Sequence, residues 1–237
     1  LAYDDLLSIN YMGQWRRAYW TKDYATILEA IGSALADKAD TLDKAAKLDA
    51  DLECKAKEVG GDEYAFLCNM SYRHAIAAHK LITDEEGNVL LLSKENDSNG
   101  CIGTVDVTYP SAPMYLLYNP ELLKGMLRPV FHYAATPEWE YDFAPHDVGQ
   151  YPLLNGQVYG NNKFSYQMPV EEAGNMLLCL AAVKKYKNGD TELFDTNREM
   201  MEGWVDSIGL DFIINVILNS KAEIVDVVSG HYVKAHR

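Results

Sequence analysis

The chain has 237 residues, 48% of them hydrophobic, so it can bury a sizeable core and nothing in its length requires more than one domain. Asp and Glu outnumber Lys and Arg by 35 to 21, which gives a net charge of -14 at pH 7. This charge repels phosphate backbones and anionic lipids, so nucleic-acid binding is not expected. Apolar runs such as residues 212–218 are far shorter than the roughly 20 residues of a spanning helix, so no membrane span is expected.

The four cysteines, Cys54, Cys68, Cys101 and Cys179, show no CxxC spacing. Neither a zinc ribbon nor a redox motif is therefore predicted. Their even number permits disulfides as well as free thiols, and spacing does not decide between the two. The sequence begins at Leu1 without a charged-then-apolar signal segment, so we expect a mature protein or an excised piece.

Helices are predicted for most of the first 83 residues. Residues 1–20 are aromatic without a clean period and suggest an extended lead-in on the surface. Helical spacing over residues 21–59 predicts one long amphipathic helix, or two joined near Gly32. Gly60 and Gly61 should end it, and Asp62 is a plausible N-cap for a helix running to about Thr83.

A short strand at residues 89–92 is followed by a loop-rich region from Ser93 to Met176. Further helices are predicted at residues 114–118, 121–133 and 170–187, and from a cap at Asp195 or Thr196 to Ile208. The tail at residues 211–237 is rich in β-branched residues and is left unassigned. Helices alternating with loops predict a mainly α architecture of paired hairpins.

Four polar segments of the loop-rich region combine carboxylates, turn glycines and aromatic residues: 93–100, 104–113, 145–152 and 168–176. Long ordered loops cost conformational entropy and usually persist because they carry function. We therefore expect the functional site in these loops.

Four carboxylates are the catalytic candidates: Asp106, Asp147, Glu171 and Glu172. Glu171 and Glu172 occupy the first turn after Pro169, where they either reach a site or merely complement the helix dipole. They lie ~100° apart on the helix, so at most one points squarely into a cavity. The aspartates either face substrate or cap turns. A facing pair would allow general acid and base catalysis.

Neither a metal ion nor another cofactor is predicted. His74 and His79 lie ~140° apart on a helix, which is unsuitable for a shared metal. Arg73 and Lys80 share a face and could hold a substrate carboxylate, although a solvated basic face is the favoured interpretation. No SxxK or GxSxG pattern occurs. A nucleophile such as Ser93, Thr104 or Ser111 and a carboxylate-activated water therefore both remain open.

Seven segments, in the same order, resemble the glutaminase A family: 71–80, 93–100, 103–113, 118–125, 145–152, 155–157 and 168–176. The resemblance covers roughly residues 1–208. It implies a six-hairpin (α/α) toroid and an exported hydrolase, secreted or periplasmic, that converts glutamine to glutamate and ammonia. Besides the four carboxylates, the candidate substrate-binding residues are Arg73, Lys94, Glu95, Asn96, Tyr109, Tyr151, Asn155 and Gln157.

The chain departs from the family in two places. Asp97 stands where the family usually has an aromatic residue, and beyond Ile208 no counterpart of its Asp-Asp-Phe-Ala-Gly-His segment occurs. A toroid of twelve helices needs well over 200 residues. We therefore expect the single toroid domain predicted over residues 1–237 to be incomplete, with its missing part supplied by absent sequence or by another chain.

Two alternatives to a glutaminase are left open. A glycoside hydrolase would use the same acid pair, with sugar rings against Trp139, Tyr141, Tyr151 and Tyr159. An incomplete toroid could instead be non-catalytic and bind a partner through exposed apolar helix faces. The expected ligand is a small molecule, glutamine or a sugar.

Overall fold

The computed structural model describes residues 6–95 and 97–208, so the predictions for Asn96 and for the tail at 211–237 lie outside it. The described part is mainly α, as predicted. Its helices are α1 Ile27–Ala36, α2 Lys38–Ala77, α3 Val105–Tyr118, α4 Pro120–Ala134, α5 Pro169–Tyr186, α6 Glu192–Thr196 and α7 Arg198–Ile208. Its strands are β1 Leu7–Tyr11, β2 Gln14–Arg17, β3 His79–Thr83, β4 Val89–Ser93 and β5 Leu153–Leu154.

The long helix α2 reverses direction at Gly61, whose φ of 79° and ψ of -169° are not helical. Arg73 forms an ion pair with Asp49, 24 residues earlier. In a straight helix these residues would be about 36 Å apart. The two arms of α2 therefore lie antiparallel, and the predicted stop at Gly60 and Gly61 is confirmed. The preceding break falls at Asp37, whereas Gly32 stays helical inside α1.

The prediction of helix up to Thr83 is wrong. Residues 79–83 form β3, which pairs antiparallel with β4 from His79 opposite Ser93 to Thr83 opposite Val89. Three consecutive leucines of β4 are buried. A buried strand needs partners for its backbone groups, and β3 supplies them at the expense of the last helical turns.

The segment 104–113 was expected to be irregular, but α3 runs from Val105 through both Pro110 and Pro113. Each proline removes one backbone donor and normally disrupts a helix interior. Both prolines are exposed, while the opposite face of α3 is buried. That face packs against α4 and α5, so tertiary packing overrides the local preference.

The expected surface lead-in is also wrong, because the N-terminal segment enters the core. Ile9 and Tyr11 of β1 are buried. Strand β1 pairs antiparallel with β2 and parallel with β5. The Asn10 and Met12 amides donate to the Pro152 and Leu154 carbonyls, both at 2.9 Å. The first strand therefore holds the loop between α4 and α5.

The core lies between β4 and helices α3, α4, α5 and α7. Phe131 of α4 stacks on Trp204 of α7, with the ring centroids 5.5 Å apart. All four cysteines are free thiols, of which Cys101 and Cys179 are buried. Among the described helices, none is both long and apolar enough to cross a lipid bilayer.

Candidate active site

The loop between α4 and α5 carries a buried pair, His146 and Asp147. The Asp147 side chain accepts hydrogen bonds from the amides of Gly149, Val158 and Tyr159 at 3.0 to 3.1 Å. Its Oδ2 lies 3.0 Å from Nδ1 of His146. Carboxylate oxygens accept hydrogen bonds, so Nδ1 donates to Asp147 and Nε2 is the ring nitrogen left to face Asp106.

The imidazole of His146 is held from two further directions. Its face stacks on the Tyr159 ring, with the centroids 4.2 Å apart and the planes at 19°. Its backbone amide donates to Oε1 of Gln157 at 2.7 Å, and the Gln157 amide group donates to the Tyr159 carbonyl. The orientation of Nε2 is therefore fixed by the fold of the loop.

Glu172 lies in the first turn of α5, which begins at Pro169. The side chain is only 1% exposed, yet neither carboxyl oxygen has a hydrogen-bond partner in the described part of the chain. Buried polar groups are nearly always paired, so this orphaned carboxyl needs an explanation. Glu171, its neighbour, is exposed.

Asp106 lies in the first turn of α3, whose packing against α5 brings Asp106 and Glu172 together. Its Oδ2 is 3.8 Å from Nε2 of His146, and its Oδ1 is buried without a partner. One polar atom from each of Asp106, His146 and Glu172 lies within 4.8 Å of the other two. We call these three residues the acidic cluster.

The electrostatics of the acidic cluster oppose ionisation of Glu172. Burial, followed by the nearby charges of Asp106, Glu171 and Asp147, raises the pKa of Glu172 from 4.5 to about 9. Among the described residues, no Lys or Arg forms an ion pair with Asp106, Asp147 or Glu172. At neutral pH Glu172 therefore holds a proton unless a cation compensates its charge.

Cys101 lies on the far side of the His146–Asp147 pair. One polar atom from each of these three residues lies within 4.8 Å of the other two. Burial, Asp147 and Glu95 raise the pKa of the Cys101 thiol well above its usual range. Because the thiolate is the reactive form of cysteine, Cys101 is not an activated nucleophile.

Three of the four predicted carboxylates converge on His146, but their surroundings differ. Both carboxylate oxygens of Asp147 accept hydrogen bonds, from loop amides and from Nδ1 of His146, so Asp147 positions His146. Asp106 and Glu172 instead keep unpartnered oxygens in the acidic cluster. Glu171 points outward from α5. The structure thus separates the two glutamates, which the sequence left as an unresolved pair.

The predicted substrate-binding residues make contacts in several different parts of the structure. Lys94 lies 5.1 Å from the ring centroid of Tyr151, and Glu95 accepts a hydrogen bond from Thr104 at 2.7 Å. Asn155 accepts one from the Gly13 amide, while Gln157 supports the loop as described above.

Two further members of that set lie on helices. Arg73 is exposed on α2, where it pairs with Asp49, and Lys80, considered beside it, lies in β3. Tyr109 is half-buried on α3. The assignment of the whole set to substrate binding stays a prediction.

The aromatic residues proposed to hold a sugar are partly committed to packing. Trp139 is buried and donates its indole N–H to the Phe143 carbonyl at 2.7 Å. Tyr141 stacks on Phe143 at 5.2 Å and donates to the Asn162 carbonyl. Tyr159 covers His146. Of the four, only Tyr151 is exposed, so no flat aromatic platform supports the glycosidase alternative.

His146 is the functional candidate that the sequence analysis missed. The sequence shows His146 directly before Asp147, but the side chains of two adjacent residues contact each other in only some backbone conformations. For the glutamates a usable signal existed. Glu172 precedes the buried residues Met176, Cys179 and Val183 at helical spacing, whereas Glu171 does not. Periodicity of α5 therefore selects Glu172.

Comparisons with known proteins agree with the resemblance seen in the sequence. The family described as "Glutaminase A six helical-hairpin domain" matches residues 61–215. Glutaminase A of Aspergillus oryzae is 31% identical over 173 residues, which are 72% of this chain and 24% of that protein. A protein of Arthroderma benhamiae named "Probable glutaminase" is 33% identical over 118 residues, 49% of this chain and 13% of that protein.

The chain thus spans less than a third of the length of either relative. The family match, in contrast, covers more than half of the chain and includes α3, α4, α5 and all three residues of the acidic cluster. The chain belongs to the glutaminase A six helical-hairpin family.

Proposed function

We propose that this chain carries the reaction centre of a glutaminase-like amidohydrolase that converts glutamine to glutamate and ammonia. One observation carries the proposal. In a member of the glutaminase A family, Asp106 and Glu172 converge on an imidazole that Asp147 holds with Nε2 facing the cluster. The reaction would take place at this acidic cluster.

Hydrolysis of a primary amide needs a water molecule that loses a proton and a nitrogen that gains one. The water oxygen bonds to the amide carbon, the carbon–nitrogen bond breaks, and the nitrogen takes up the proton and leaves as ammonia. The two carboxylates of the cluster, Asp106 and Glu172, lie in the first turns of two helices, where negative charge is stabilised. The side chain of Asp106 is 35% exposed, so water and substrate can reach the cluster from its side.

The proposal favours water over a protein nucleophile. The Cys101 thiol stays protonated, and the Oγ atoms of Thr104 and Ser111 donate to Glu95 and to the Thr108 carbonyl. None of these groups has the adjacent, unengaged base that activates a nucleophile. A water molecule within the cluster would lie beside Asp106 and His146, groups that can take up the proton it loses.

The test is ammonia release from glutamine by the purified protein. We expect Glu172→Gln and His146→Gln to lower kcat by at least about 100-fold, because each removes a group from the reaction centre. Glu202→Gln on α7 and His74→Gln on α2 make the same chemical changes at exposed positions and should keep the wild-type rate. Circular dichroism and thermal unfolding would show that all four variants fold.

Two results would overturn the proposal. One is wild-type protein that folds but releases no ammonia. The other is a folded Glu172→Gln or His146→Gln variant within about twofold of the wild-type kcat, a change too small for the loss of a group acting in the reaction.

A further inference from the structure

The acidic cluster has the composition of a metal site, with two carboxylates and one imidazole nitrogen. We propose that Asp106, His146 and Glu172 bind one first-row divalent cation, for which Zn²⁺ is the best candidate. Three features of the cluster favour a bound cation: the spacing of its ligand atoms, its unpartnered oxygens and the hydrogen bonds that hold His146.

The ligand atoms are already close to coordinating distances. Ligands about 2.0 to 2.2 Å from a zinc ion lie roughly 3.4 Å from each other in a tetrahedral site, and no more than about 4.2 Å apart in any geometry. The 3.8 Å between Nε2 of His146 and Oδ2 of Asp106 falls within this range. All three atoms lie within 4.8 Å of one another, so side-chain rotations that bring the atoms closer by up to about 1.4 Å would reach the tetrahedral separation.

Three buried oxygens in the cluster have no hydrogen-bond partner among residues 6–95 and 97–208: both of Glu172 and Oδ1 of Asp106. Glu172 is 1% exposed, so bulk water does not compensate for the missing partners. A single water molecule has only two hydrogens to donate and brings no charge. A divalent cation accepts electron pairs from all three groups and offsets the crowding of carboxylates, which no Lys or Arg relieves within the described residues.

The support behind His146 is the one that metal-binding histidines usually have. Such a histidine donates its second ring N–H to a carboxylate, which fixes the tautomer and aims the other nitrogen at the metal. Asp147 accepts from Nδ1 at 3.0 Å, and three backbone amides hold that carboxylate in place. The same arrangement would be unnecessary for a histidine that merely fills space.

The ligand set also indicates which cation binds. Imidazole nitrogen favours zinc and its neighbours over Mg²⁺ and Ca²⁺, which prefer sites made of oxygen. Three protein ligands leave a fourth position open for water, as in catalytic zinc sites. No metal was expected from the sequence, because the cysteines lack CxxC spacing and because His74 and His79, which lie on different elements, were the histidines considered.

The role of the cation in catalysis rests on the proposed function, whereas its binding does not. A bound Zn²⁺ would lower the pKa of its water and polarise the amide carbonyl of glutamine. Binding can be measured without any substrate. The two proposals can therefore fail separately.

The experiment measures zinc binding by the whole chain after treatment with a chelator. Equilibrium dialysis against Zn²⁺, followed by elemental analysis, should give one ion per chain. Glu172→Gln, Asp106→Asn and His146→Gln should each weaken binding at least about tenfold, because loss even of a residue supporting a ligand costs 10–100-fold. Co²⁺ offers a second probe, since its visible spectrum changes when His146 leaves the coordination sphere.

Matched controls are available at exposed positions: Glu202→Gln, Asp206→Asn and His74→Gln. These should bind Zn²⁺ as the wild type does. A wild-type chain without stoichiometric zinc overturns the proposal. So does wild-type affinity in the three cluster variants, which would place the ion elsewhere, for example at the exposed Cys54.

Activity then separates the two claims. Ammonia release that continues in excess chelator, while Glu172→Gln is inactive, would support the function and remove the metal from it. Stoichiometric zinc that depends on the cluster, without ammonia release from glutamine, would support the metal site and refute the glutaminase function.

Discussion

Replacing Glu172 by glutamine should make the metal-free protein more stable while it abolishes activity. The folded site raises the pKa of Glu172 from 4.5 to about 9, through burial and then through Asp106, Glu171 and Asp147. His146, which also faces the group, is linked to Asp147. Folding above about pH 4.5 therefore forces Glu172 to take up a proton, and this uptake reduces the free energy of unfolding.

The size of the effect follows from the pKa difference. Below about pH 4.5 both the folded and the unfolded state are protonated, and nothing is lost. Each pH unit above that value costs about 1.4 kcal/mol until the pH reaches the folded pKa. At pH 7 the wild type is therefore destabilised by roughly 3 kcal/mol. Glutamine has nearly the same shape as the protonated acid and does not titrate.

The assay is urea unfolding followed by tryptophan fluorescence, in chelator, from pH 4 to pH 9. The unfolding free energy of Glu172→Gln minus that of the wild type should be near zero at pH 4 and should grow to roughly 3 kcal/mol by pH 7. Glu202→Gln, which alters an exposed carboxylate, should give a flat difference. A flat difference for Glu172→Gln, or a variant less stable than the wild type at pH 7, would refute the reasoning.

Two further substitutions probe the supports of the fold. Gly149→Ala should lower the unfolding free energy by roughly 2–4 kcal/mol, because φ is 143° and a Cβ would lie 2.2 Å from the Leu153 carbonyl oxygen. Gly87→Ala, also at positive φ but in open space, should cost clearly less in the same urea titration, and equal costs would contradict the steric argument. Lys124→Met should cost roughly 1.5–3 kcal/mol, because Lys124 is 2% exposed and donates to Asp190 at 2.8 Å, whereas Lys187 keeps its own 3.0 Å ion pair with that carboxylate. A urea midpoint shift equivalent to less than about 1 kcal/mol would contradict that assignment.

The sequence predicted the helices whose ends carry strong local signals. Pro120 and Pro169 open α4 and α5, and Gly61 divides the arms of α2. It failed where packing outweighs propensity. Prolines on the exposed side of α3 do not break a helix that is buried on its other side. Residues His79–Thr83 form a strand and not the predicted helix, because the backbone groups of β4 need hydrogen-bond partners. Such effects depend on neighbours distant in sequence.

The chemistry of the site was partly predictable. The sequence selected Asp106, Asp147 and the undivided pair Glu171 and Glu172, and the comparisons confirm the family that the ordered motifs indicated. Two features of the site could not be predicted from the sequence. One is the division of labour between Asp147, whose oxygens are saturated, and Glu172, whose oxygens are not. The other is the orientation of His146, because the side-chain torsions decide whether its Nε2 atom faces Asp106.

Strand β1 determines where a shortened version of this chain can begin. The family match begins at residue 61, but the Asn10 and Met12 amides bond to the segment that follows Asp147. A fragment that starts at the match boundary would leave the Pro152 and Leu154 carbonyls without their donors and would uncover the hydrophobic groups packed on Ile9. A fragment that keeps the loop around His146 in place must therefore include β1, which precedes the matched region.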